Sequence, residues 1–502
     1  MNLERHLQQY FGYRTFRPGQ KEIISSLLDG NDTLGMLATG TGKSICYQLP
    51  AYLLDKPVLV VSPLLSLMQD QAEQLKRKGE KSVLTLNSFL TPRQKREGIE
   101  NIGRFRFIFL SPEMLVAHDV LNALKKLDIG LFVIDEAHCI SQWGYDFRPD
   151  YLSLGTVRKE LSNPLTLALT ASATEEVRND IIEKLYLEKV HKVVSSVDRE
   201  NIALTVETCS GYEEKLQRLL HITREINGPG IVYFSSKKAA ETTALYLKQN
   251  GIANVEYYHG GMEQEQRMLI QQQFINGQLK VICSTSAFGM GVNKENVRFV
   301  VHFHLPSSME AYVQETGRAG RDGKQSAAIL LYCDGDEGLP LYLTEQELPT
   351  ETQIEDVFSY LDITQKIPVA IQETIMQQFS LSDIQWRFML HFITTNKHGV
   401  NESELKETMK RYVFKRKEYK TAKIRAFFHW LTAAQCRREG VLHYFQEEKI
   451  TQNERCCDRC GLANNFLQSL SDSEAAIAKK PYVDWQQDLA KLLLKAADNH
   501  EK

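Results

Sequence analysis

A glycine-rich segment near the N-terminus has the residue types that can hold a nucleoside triphosphate. In TLGMLATGTGKSICYQ, an apolar run is followed by a turn and then by a helical pattern. Backbone N–H groups at glycines approach phosphate oxygens closely, and a helix N-terminus adds a positive dipole end. We assign Lys43 to the β- and γ-phosphates and Ser44 to Mg²⁺. The residues predicted to form this phosphate loop are Thr39, Gly40, Thr41, Gly42, Lys43 and Ser44.

The loop departs from the general template G-x-x-x-x-G-K-[ST], because Leu37 stands where the template has its first glycine. A glycine-rich turn with a chance lysine is the alternative. The later stretch LFVIDEAH weakens that alternative, since it ends an apolar run with Asp135 and Glu136. A strand-end aspartate can hold Mg²⁺ through water, and Glu136 is the candidate general base for the attacking water. Loop and carboxylates together predict a nucleoside triphosphatase.

A second cluster, QETGRAGRDG, carries two arginines three positions apart. On one helical turn Arg318 and Arg321 would face the same way, into a cleft. Charge that develops on a γ-phosphate calls for such a guanidinium, so we predict Arg321 as an arginine finger and Arg318 as its partner. Surface arginines on a solvated helix are the alternative. Gly317, Gly320 and Gly323 favour close backbone packing instead.

Four of the nine cysteines fall in one short stretch near the C-terminus: Cys436, Cys456, Cys457 and Cys460. Zinc prefers four thiolates in a tetrahedron, and a C-x-x-C pair is a common support for it. Free buried thiols are the alternative, because disulfides are rare in a reducing cytosol. We predict a structural zinc site, although the neighbours Cys456 and Cys457 would need an unusual turn to share one metal.

The elements that must position these groups alternate between short β-branched runs and helical patterns. Continuous apolar strands with helices between them indicate parallel sheets that are covered on both faces. The predicted strands are VLVVS (58–62), RFIFL (106–110), LFVID (131–135), LTLALT (165–170), IVYF (231–234), KVICS (280–284) and VRFVVHF (297–303). The fold class is therefore α/β, with two parallel-sheet lobes in tandem.

The pattern breaks at SSVDREN (195–201), and beyond Asp336 it becomes mainly helical. We predict a first lobe at 1–197 that binds the nucleotide and a second lobe at 198–337. A helical region with the small zinc module follows at 338–465. The C-terminal tail, 466–502, contains one short amphipathic stretch, Trp485–Ala496.

Composition bounds these predictions. With 60 basic and 63 acidic residues the net charge is −3, so bulk charge gives no support to nucleic-acid binding. No apolar run is long enough to cross a bilayer, and the N-terminus lacks the core of a signal peptide. We therefore expect a cytoplasmic protein with no membrane partner.

The motifs resemble those of superfamily-two helicases, and their surroundings resemble the RecQ branch, whose lobes are RecA-like. Upstream, FGYRTFRPGQ is similar to that family's adenine-reading motif. The resemblance implies that Tyr13 stacks on the base, that Gln20 hydrogen-bonds its edge, and that Arg17 supports the pocket. An amide can contact the N6/N7 edge of adenine in a bidentate way.

Downstream of the carboxylates, CISQWGYDFRPDY resembles the RecQ aromatic-rich loop. By this resemblance the loop would stack on single-stranded bases and pass DNA contact back to the ATP site. The residues concerned are Trp143, Tyr145, Phe147, Arg148 and Tyr151. We expect His138 to couple hydrolysis to movement; a DEAD-box RNA helicase would have aspartate there.

The resemblance runs continuously over about residues 8–335. Further matching stretches are VSPLLSLMQDQ, LTASAT, IVYFSSKK, YHGGMEQEQR and STSAFGMGVNKENVRFVVHFHLP. The cysteine stretch is similar to the RecQ zinc module, except that Glu454 replaces the cysteine three positions before Cys457. Cys456 is the obvious substitute.

The C-terminal part departs from the family. The region before Cys436 is longer than the usual RecQ linker, and too few residues follow Cys460 for winged-helix and HRDC domains. The chain is thus similar to the short form of the family termed RecS. The basic segment KRYVFKRKEYKTAKIR (410–425) could be an auxiliary DNA grip, and a solvated helical face is an equal alternative.

The resemblance implies an ATP-dependent DNA helicase that uses ATP, Mg²⁺ and Zn²⁺. It would move 3′→5′ on single-stranded DNA and unwind duplex or branched DNA in recombination, repair or replication. Expected partners are DNA, single-stranded-DNA-binding protein and other repair proteins; we expect a monomer in the bacterial cytoplasm, associated with the nucleoid. The alternative is an ATP-switched binder or remodeller of branched DNA with little strand separation.

Overall fold

Two parallel β-sheets, covered by helices, form the first two thirds of the chain. The computed structural model describes residues 2–63, 65–87, 90–141, 149–289, 294–361, 369–396, 401–448, 455–463 and 465–470. The first sheet has seven strands in the order β3-β4-β2-β5-β6-β1-β7, all parallel. Its strands are β1 (Asp32–Met36), β2 (Val58–Val61), β3 (Val83–Leu86), β4 (Phe107–Leu110), β5 (Leu131–Ile134), β6 (Thr166–Thr170) and β7 (Val190–Val194).

The helices of the first lobe lie between these strands, as the sequence pattern predicts. They are α1 (Leu3–Phe11), α2 (Gln20–Leu28), α3 (Ile45–Leu54), α4 (Leu65–Arg77), α5 (Pro92–Glu100), α6 (Pro112–Leu115), α7 (His118–Leu124), α8 (Leu154–Glu160) and α9 (Glu175–Lys184). Short 3-10 helices at Ile102–Arg104, Ala137–Ile140 and Pro149–Ser153 complete the lobe. Strands such as β2 and β5 are buried along their whole length, because helices cover both faces of the sheet.

The second sheet has six parallel strands in the order β10-β11-β9-β12-β13-β8. Its strands are β8 (Ile202–Thr208), β9 (Gly230–Tyr233), β10 (Val255–Tyr258), β11 (Val281–Ser284), β12 (Phe299–His302) and β13 (Ser326–Tyr332). Its helices are α10 (Tyr212–Glu225), α11 (Lys237–Gln249), α12 (Gln264–Ile275) and α13 (Met309–Thr316). Residues 195–201, here called the linker, connect β7 to β8.

The rest of the described chain is mainly helical. Its helices are α14 (Gly338–Glu347), α15 (Glu351–Tyr360), α16 (Val369–Gln378), α17 (Asp383–Asn396), α18 (Glu402–Thr432), α19 (Arg437–Tyr444) and α20 (Phe466–Ser469), with a 3-10 helix at Asp458–Cys460. The 31 residues of α18 join a separate apolar core, which includes Trp386 and Met409, to the second lobe at Phe427 and Trp430.

This architecture confirms the predicted fold class. None of the described helices has both the length and the apolar character needed to span a membrane. The amphipathic stretch predicted at Trp485–Ala496 lies outside the described residues.

Candidate functional site

The phosphate loop lies between β1 and α3, and its shape depends on two left-handed glycines. Gly40 has a φ of 87° and Gly42 has a φ of 76°. The backbone N–H and the hydroxyl of Thr41 both donate to the Ala38 carbonyl, at 3.3 and 2.7 Å. A Cβ added at Gly40 would lie 2.8 Å from Cγ of Arg321. Glycine at 40 therefore serves both the turn and the close approach of the second lobe.

The two predicted carboxylates follow β5 directly and face the same cleft. Glu136 has a φ of 49°, a left-handed conformation that is uncommon outside glycine and often marks functional sites. The Asp135 carboxylate accepts a hydrogen bond from the backbone N–H of Glu136 at 3.0 Å. Lys43 Nζ lies 3.8 Å from Glu136 Oε1. Lys43, Ser44, Asp135 and Glu136 line one cavity, so the fold brings these predicted residues together.

The charges of this cavity fit a bound metal–nucleotide complex. Burial, and then the charge of Glu136, raises the pKa of Asp135. Burial also disfavours the ionised form of Glu136, but surrounding cations, Lys43 first, hold its pKa below the ordinary value. A divalent cation beside the pair would favour the ionised form of both carboxyl groups. The hydroxyl of Ser44 and the Asp135 carboxylate are hard oxygen donors, the type that Mg²⁺ prefers.

The two predicted arginines approach the cavity from the second lobe. Arg318 and Arg321 line the same cavity. The prediction that they lie on one helical turn is wrong, because α13 ends at Thr316 and both arginines lie in the turns that follow. We call residues 317–324 the arginine turn. Burial, and then repulsion from Arg318 and Arg199, lowers the pKa of Arg321. Guanidinium groups crowded in this way favour the binding of a polyanion such as triphosphate.

The close packing predicted for three glycines holds for two of them. A Cβ at Gly317 would lie 3.2 Å from Thr39 Cβ, and one at Gly320 would lie 2.4 Å from Asn201 Nδ2. At Gly323 a Cβ would meet nothing within 4 Å, so the packing prediction is wrong there. That position has a φ of 80°, and the turn itself accounts for its glycine.

His138 joins the two lobes. Its Nδ1 lies 3.0 Å from Thr170 Oγ1, and its Nε2 lies 3.3 Å from Nε2 of Gln314 on α13. With the amide nitrogen of Gln314 as the donor, Nε2 of His138 is the acceptor and the ring is neutral. Burial lowers the pKa of His138, which favours the same neutral form. The imidazole thus contacts Thr170 of the first lobe and Gln314 of the second, and its coupling role stays a prediction.

The adenine motif lies beside the phosphate loop. Tyr13 is half exposed at the mouth of the cavity, and the Arg17 guanidinium donates to the Gly40 carbonyl. Nε2 of Gln20 donates to the carbonyls of Thr41 and Gly42, at 2.8 and 3.0 Å. Both amide hydrogens of Gln20 are therefore used by the loop. A bidentate contact to adenine would require Gln20 to break these hydrogen bonds to the loop.

Most of the aromatic-rich loop, including Trp143, Tyr145, Phe147 and Arg148, lies outside the described residues. Its last aromatic residue corrects one expectation. Tyr151 is 1% exposed, and its hydroxyl donates to the Asp135 carbonyl at 3.1 Å. Base stacking by Tyr151 is therefore excluded. The ring instead attaches the end of the loop to the strand that carries the carboxylates.

The four predicted zinc ligands converge, with all four Sγ atoms within 4.8 Å of one another. Cys436 and Cys456 are 3.5 Å apart, Cys436 and Cys457 are 3.8 Å apart, and Cys457 and Cys460 are 3.5 Å apart. A zinc tetrahedron with Zn–S bonds of about 2.3 Å places its sulfurs about 3.8 Å apart. The cluster fits a structural zinc ion.

The neighbouring cysteines need no unusual turn. Cys457 has extended backbone, with φ −164° and ψ 171°. The backbone N–H of Leu204 donates to the Cys456 carbonyl at 3.1 Å, and Leu204 and Cys457 form a parallel bridge. The cysteine module, defined by residues 436–448 and 455–463, is thus attached to the outer edge of β8.

Several basic side chains of the 410–425 segment, all within α18, already have partners. Lys410 pairs with Glu355, Lys420 with Glu347 and Lys423 with Glu310. Phe414 remains 59% exposed and Lys415 is exposed. These ion pairs reduce the charge available to DNA and favour the solvated-face interpretation for this part of the segment.

Sequence reasoning missed three side chains that contact the site. Gln314 reaches His138, and Arg199 and Asn201 of the linker donate to carbonyls of the arginine turn. The break in pattern marked the linker only as a connection. No local motif distinguishes a single arginine that contacts distant carbonyls.

Known proteins resemble this chain in both sequence and fold. A family model described as DEAD/DEAH box helicase matches residues 17–180, and one described as helicase conserved C-terminal domain matches residues 212–323. RecS of Bacillus subtilis (strain 168), named a probable ATP-dependent DNA helicase, is 44% identical over 98% of this chain and 97% of its own. The ATP-dependent DNA helicase RecQ of Haemophilus influenzae is 41% identical over 70% of this chain and 56% of its own.

Among solved structures, the Mycobacterium smegmatis helicase Lhr bound to ssDNA and AMP-PNP has a similar fold. The TM-score is 0.56 at 18% identity, over 77% of this chain and 57% of that one.

Proposed function

This chain belongs to the RecQ family of ATP-dependent DNA helicases, and we propose that it moves 3′→5′ along single-stranded DNA and unwinds duplex or branched DNA. One observation carries the proposal. Lys43 and Glu136 of the first lobe meet Arg318 and Arg321 of the second in a single cleft, which is the arrangement that lobe-driven hydrolysis requires.

Each side chain in the cleft has a chemical role in the proposed hydrolysis. Lys43 neutralises the β- and γ-phosphates, and Glu136 orients the attacking water and takes its proton. Arg321 stabilises the charge that grows on the γ-phosphate, with Arg318 beside it. Mg²⁺, when held by Ser44 and Asp135, supplies further charge neutralisation. Loss of the γ-phosphate removes the anion that holds the lobes together, so hydrolysis is linked to cleft opening.

The aromatic-rich loop is the proposed DNA sensor. The Tyr151–Asp135 hydrogen bond supports this, because movement at the end of the loop would reach the carboxylates directly. Trp143→Ala should leave basal ATP hydrolysis intact and remove its stimulation by single-stranded DNA. Equal stimulation in both proteins would argue against the sensor role.

The four clustered cysteines are proposed to hold one zinc ion with a structural role. Metal analysis should give one zinc per chain for wild type and far less for Cys456→Ser. Cys46→Ser is the matched control, because Cys46 is an equally buried cysteine far from the module in sequence. If Cys456→Ser kept its zinc, Cys456 would not be a ligand.

Strand displacement tests the main proposal. Duplexes with a 3′ tail and with a 5′ tail are compared, in DNA and in RNA, with Lys43→Ala as the inactive control. Displacement of the 3′-tailed DNA alone is expected. ATP hydrolysis without displacement would favour an ATP-switched binder of branched DNA, and displacement from a 5′ tail would reverse the polarity.

Action in recombination, repair or replication, with single-stranded-DNA-binding protein among the partners, remains a prediction. The same holds for a monomeric state and a cytoplasmic, nucleoid-associated location. The ends of the two sheets at Val194 and Tyr332 support the limits proposed for the two lobes, 1–197 and 198–337. The limits 338–465 and 466–502 stay predictions, and Phe466 and Leu470 pack into the core of the second lobe.

A further inference from the structure

The linker between the two sheets contacts both halves of the ATP cleft through one side chain. Nη1 of Arg199 donates to the carbonyls of Thr39 and Gly317, at 2.9 and 3.2 Å. Nη2 donates to the carbonyls of Ala319 and Gly320, at 3.0 and 2.7 Å. All four hydrogens of the two terminal nitrogens are used. One acceptor belongs to the phosphate loop and three belong to the arginine turn.

These bonds set the distance between the two loops. The three carbonyls of the arginine turn flank Arg318 and lead directly into Arg321, whose side chain packs against Gly40 of the phosphate loop. Asn201 adds a second hold on the turn, since its Nδ2 donates to the Gly320 carbonyl at 2.8 Å. Arg199 donates to carbonyls of both loops. Lobe separation must therefore break some of its bonds.

Arg199 is itself held by the cysteine module. Arg438, which is 3% exposed, donates from Nη1 to the Arg199 carbonyl at 3.0 Å and from Nη2 to the Ile202 carbonyl at 2.5 Å. It also pairs with Asp198. Arg438 follows the cluster residue Cys436 by two positions on α19. A continuous path of hydrogen bonds thus runs from the cysteine module through the linker to the cleft.

We propose that Arg199 is a positioning residue for ATP hydrolysis, which holds the arginine turn against the phosphate loop, and that Arg438 of the cysteine module keeps Arg199 in place. The proposal rests on the proposed ATP site. Arg199 touches backbone carbonyls and does not line the cavity that contains Lys43 and Glu136, so it acts on the closed arrangement of the lobes through Arg321. The cysteine module then supports hydrolysis without contacting nucleotide.

DNA-stimulated phosphate release by Arg199→Ala tests the proposal. We expect kcat to fall on the order of 30- to 100-fold, as for a misplaced catalytic group, while KM for ATP changes less than about threefold. Arg199→Lys should stay impaired, because an ammonium cannot donate to four carbonyls in a fork. Guanidinium ion at low millimolar concentration should restore part of the rate in Arg199→Ala. Arg96→Ala, an exposed arginine on α5, is the control.

Arg438→Ala tests the second half, with its zinc content measured in parallel. A smaller fall in kcat is expected, and the Arg199→Ala/Arg438→Ala double variant should be no slower than Arg199→Ala. If the double variant instead lost kcat by the product of the two single losses, Arg438 would not act through Arg199.

Three results would overturn the positioning role. These are an unchanged kcat in Arg199→Ala, a lowered melting temperature that accounts for the lost rate, or the absence of rescue by guanidinium with full activity in Arg199→Lys. A wild-type protein no faster than Lys43→Ala would instead overturn the proposed function itself.

Discussion

The phosphate loop and the arginine turn face each other across the cleft, yet they are held by different kinds of contact. The phosphate loop is stabilised within its own lobe, by its left-handed glycines, by Thr41 bonding to Ala38, and by Gln20 of the nearby α2. The arginine turn is also held within its own lobe, by the Gly320 N–H donating to the Val297 carbonyl and by the Arg298–Asp322 pair, but the linker adds the bonds that tie it to the phosphate loop, through Arg199. The phosphate loop can form whenever its lobe folds, whereas the placement of the arginine turn against the phosphate loop also depends on the linker.

Because of this difference, we expect substitutions in the phosphate loop and in the arginine turn to change different kinetic constants. Nucleotide affinity should follow the phosphate loop, which is preformed. The rate of hydrolysis should follow the arginine turn, because its position changes with the relative placement of the lobes. Regulation by DNA or by the cysteine module is therefore expected to act on kcat.

The sharpest test of the division is Arg321→Ala. Removal of an arginine finger costs about 10³-fold in kcat, and we expect that loss with little change in KM for ATP. Steady-state phosphate release with saturating single-stranded DNA measures both constants. Arg387→Ala, an exposed arginine on α17, should match wild type. A larger loss in Arg318→Ala than in Arg321→Ala would exchange the roles of the two arginines.

Gly40→Ala tests the phosphate loop, which is the preformed half of the site. The left-handed φ costs about 1 to 2 kcal/mol for alanine, and the new methyl group would push against Arg321, so kcat/KM should fall on the order of 100-fold. Gly79→Ala is a matched control: its φ is 96°, but no atom lies within 4 Å of the added Cβ. Equal losses in the two variants would show that backbone strain alone is responsible.

Gln20→Ala tests whether the loop and the base share one side chain. We expect KM for ATP to rise about tenfold, as for the loss of one or two hydrogen bonds, and the preference for ATP over GTP to decrease. Competition between the two nucleotides measures the preference, with Gln249→Ala as the exposed control. A KM change without any loss of preference would restrict Gln20 to supporting the loop.

The smallest effect is expected at the contact between lobes. His138→Ala and Gln314→Ala should each lower DNA-stimulated kcat a few fold, with a coupling energy of about 1 kcal/mol in the double-mutant cycle. Fully additive effects would mean that the 3.3 Å contact carries no coupling.

The parts of the site that are determined by residues close together in the chain could be predicted from the sequence. The phosphate loop and the strand that ends in Asp135 and Glu136 are continuous stretches, with glycine positions and apolar runs that have one main interpretation. The strand β8 was harder, because IALTVET mixes polar and apolar residues at the sheet edge.

The errors have a common physical origin. The helix that was expected to carry Arg318 ends early, because the chain turns at Gly317 and Gly320. Tyr151 looked like a base-stacking residue, but burial against β5 decides its role. Arg199 carries no pattern at all, since its partners are backbone carbonyls that any sequence provides. Tertiary contacts, which exist only in the folded chain, determine the end of the helix, the burial of Tyr151 and the partners of Arg199.

The attachment of the cysteine module to β8 has a consequence for the life of the protein before it meets DNA. β8 is the edge strand of the second sheet, and the chain at Cys456 covers part of that edge. An uncovered edge strand can pair with another copy and begin aggregation. If the proposed zinc ion holds the module in place, chains made without zinc would expose this edge to such pairing, and metal supply would limit how much of the protein accumulates.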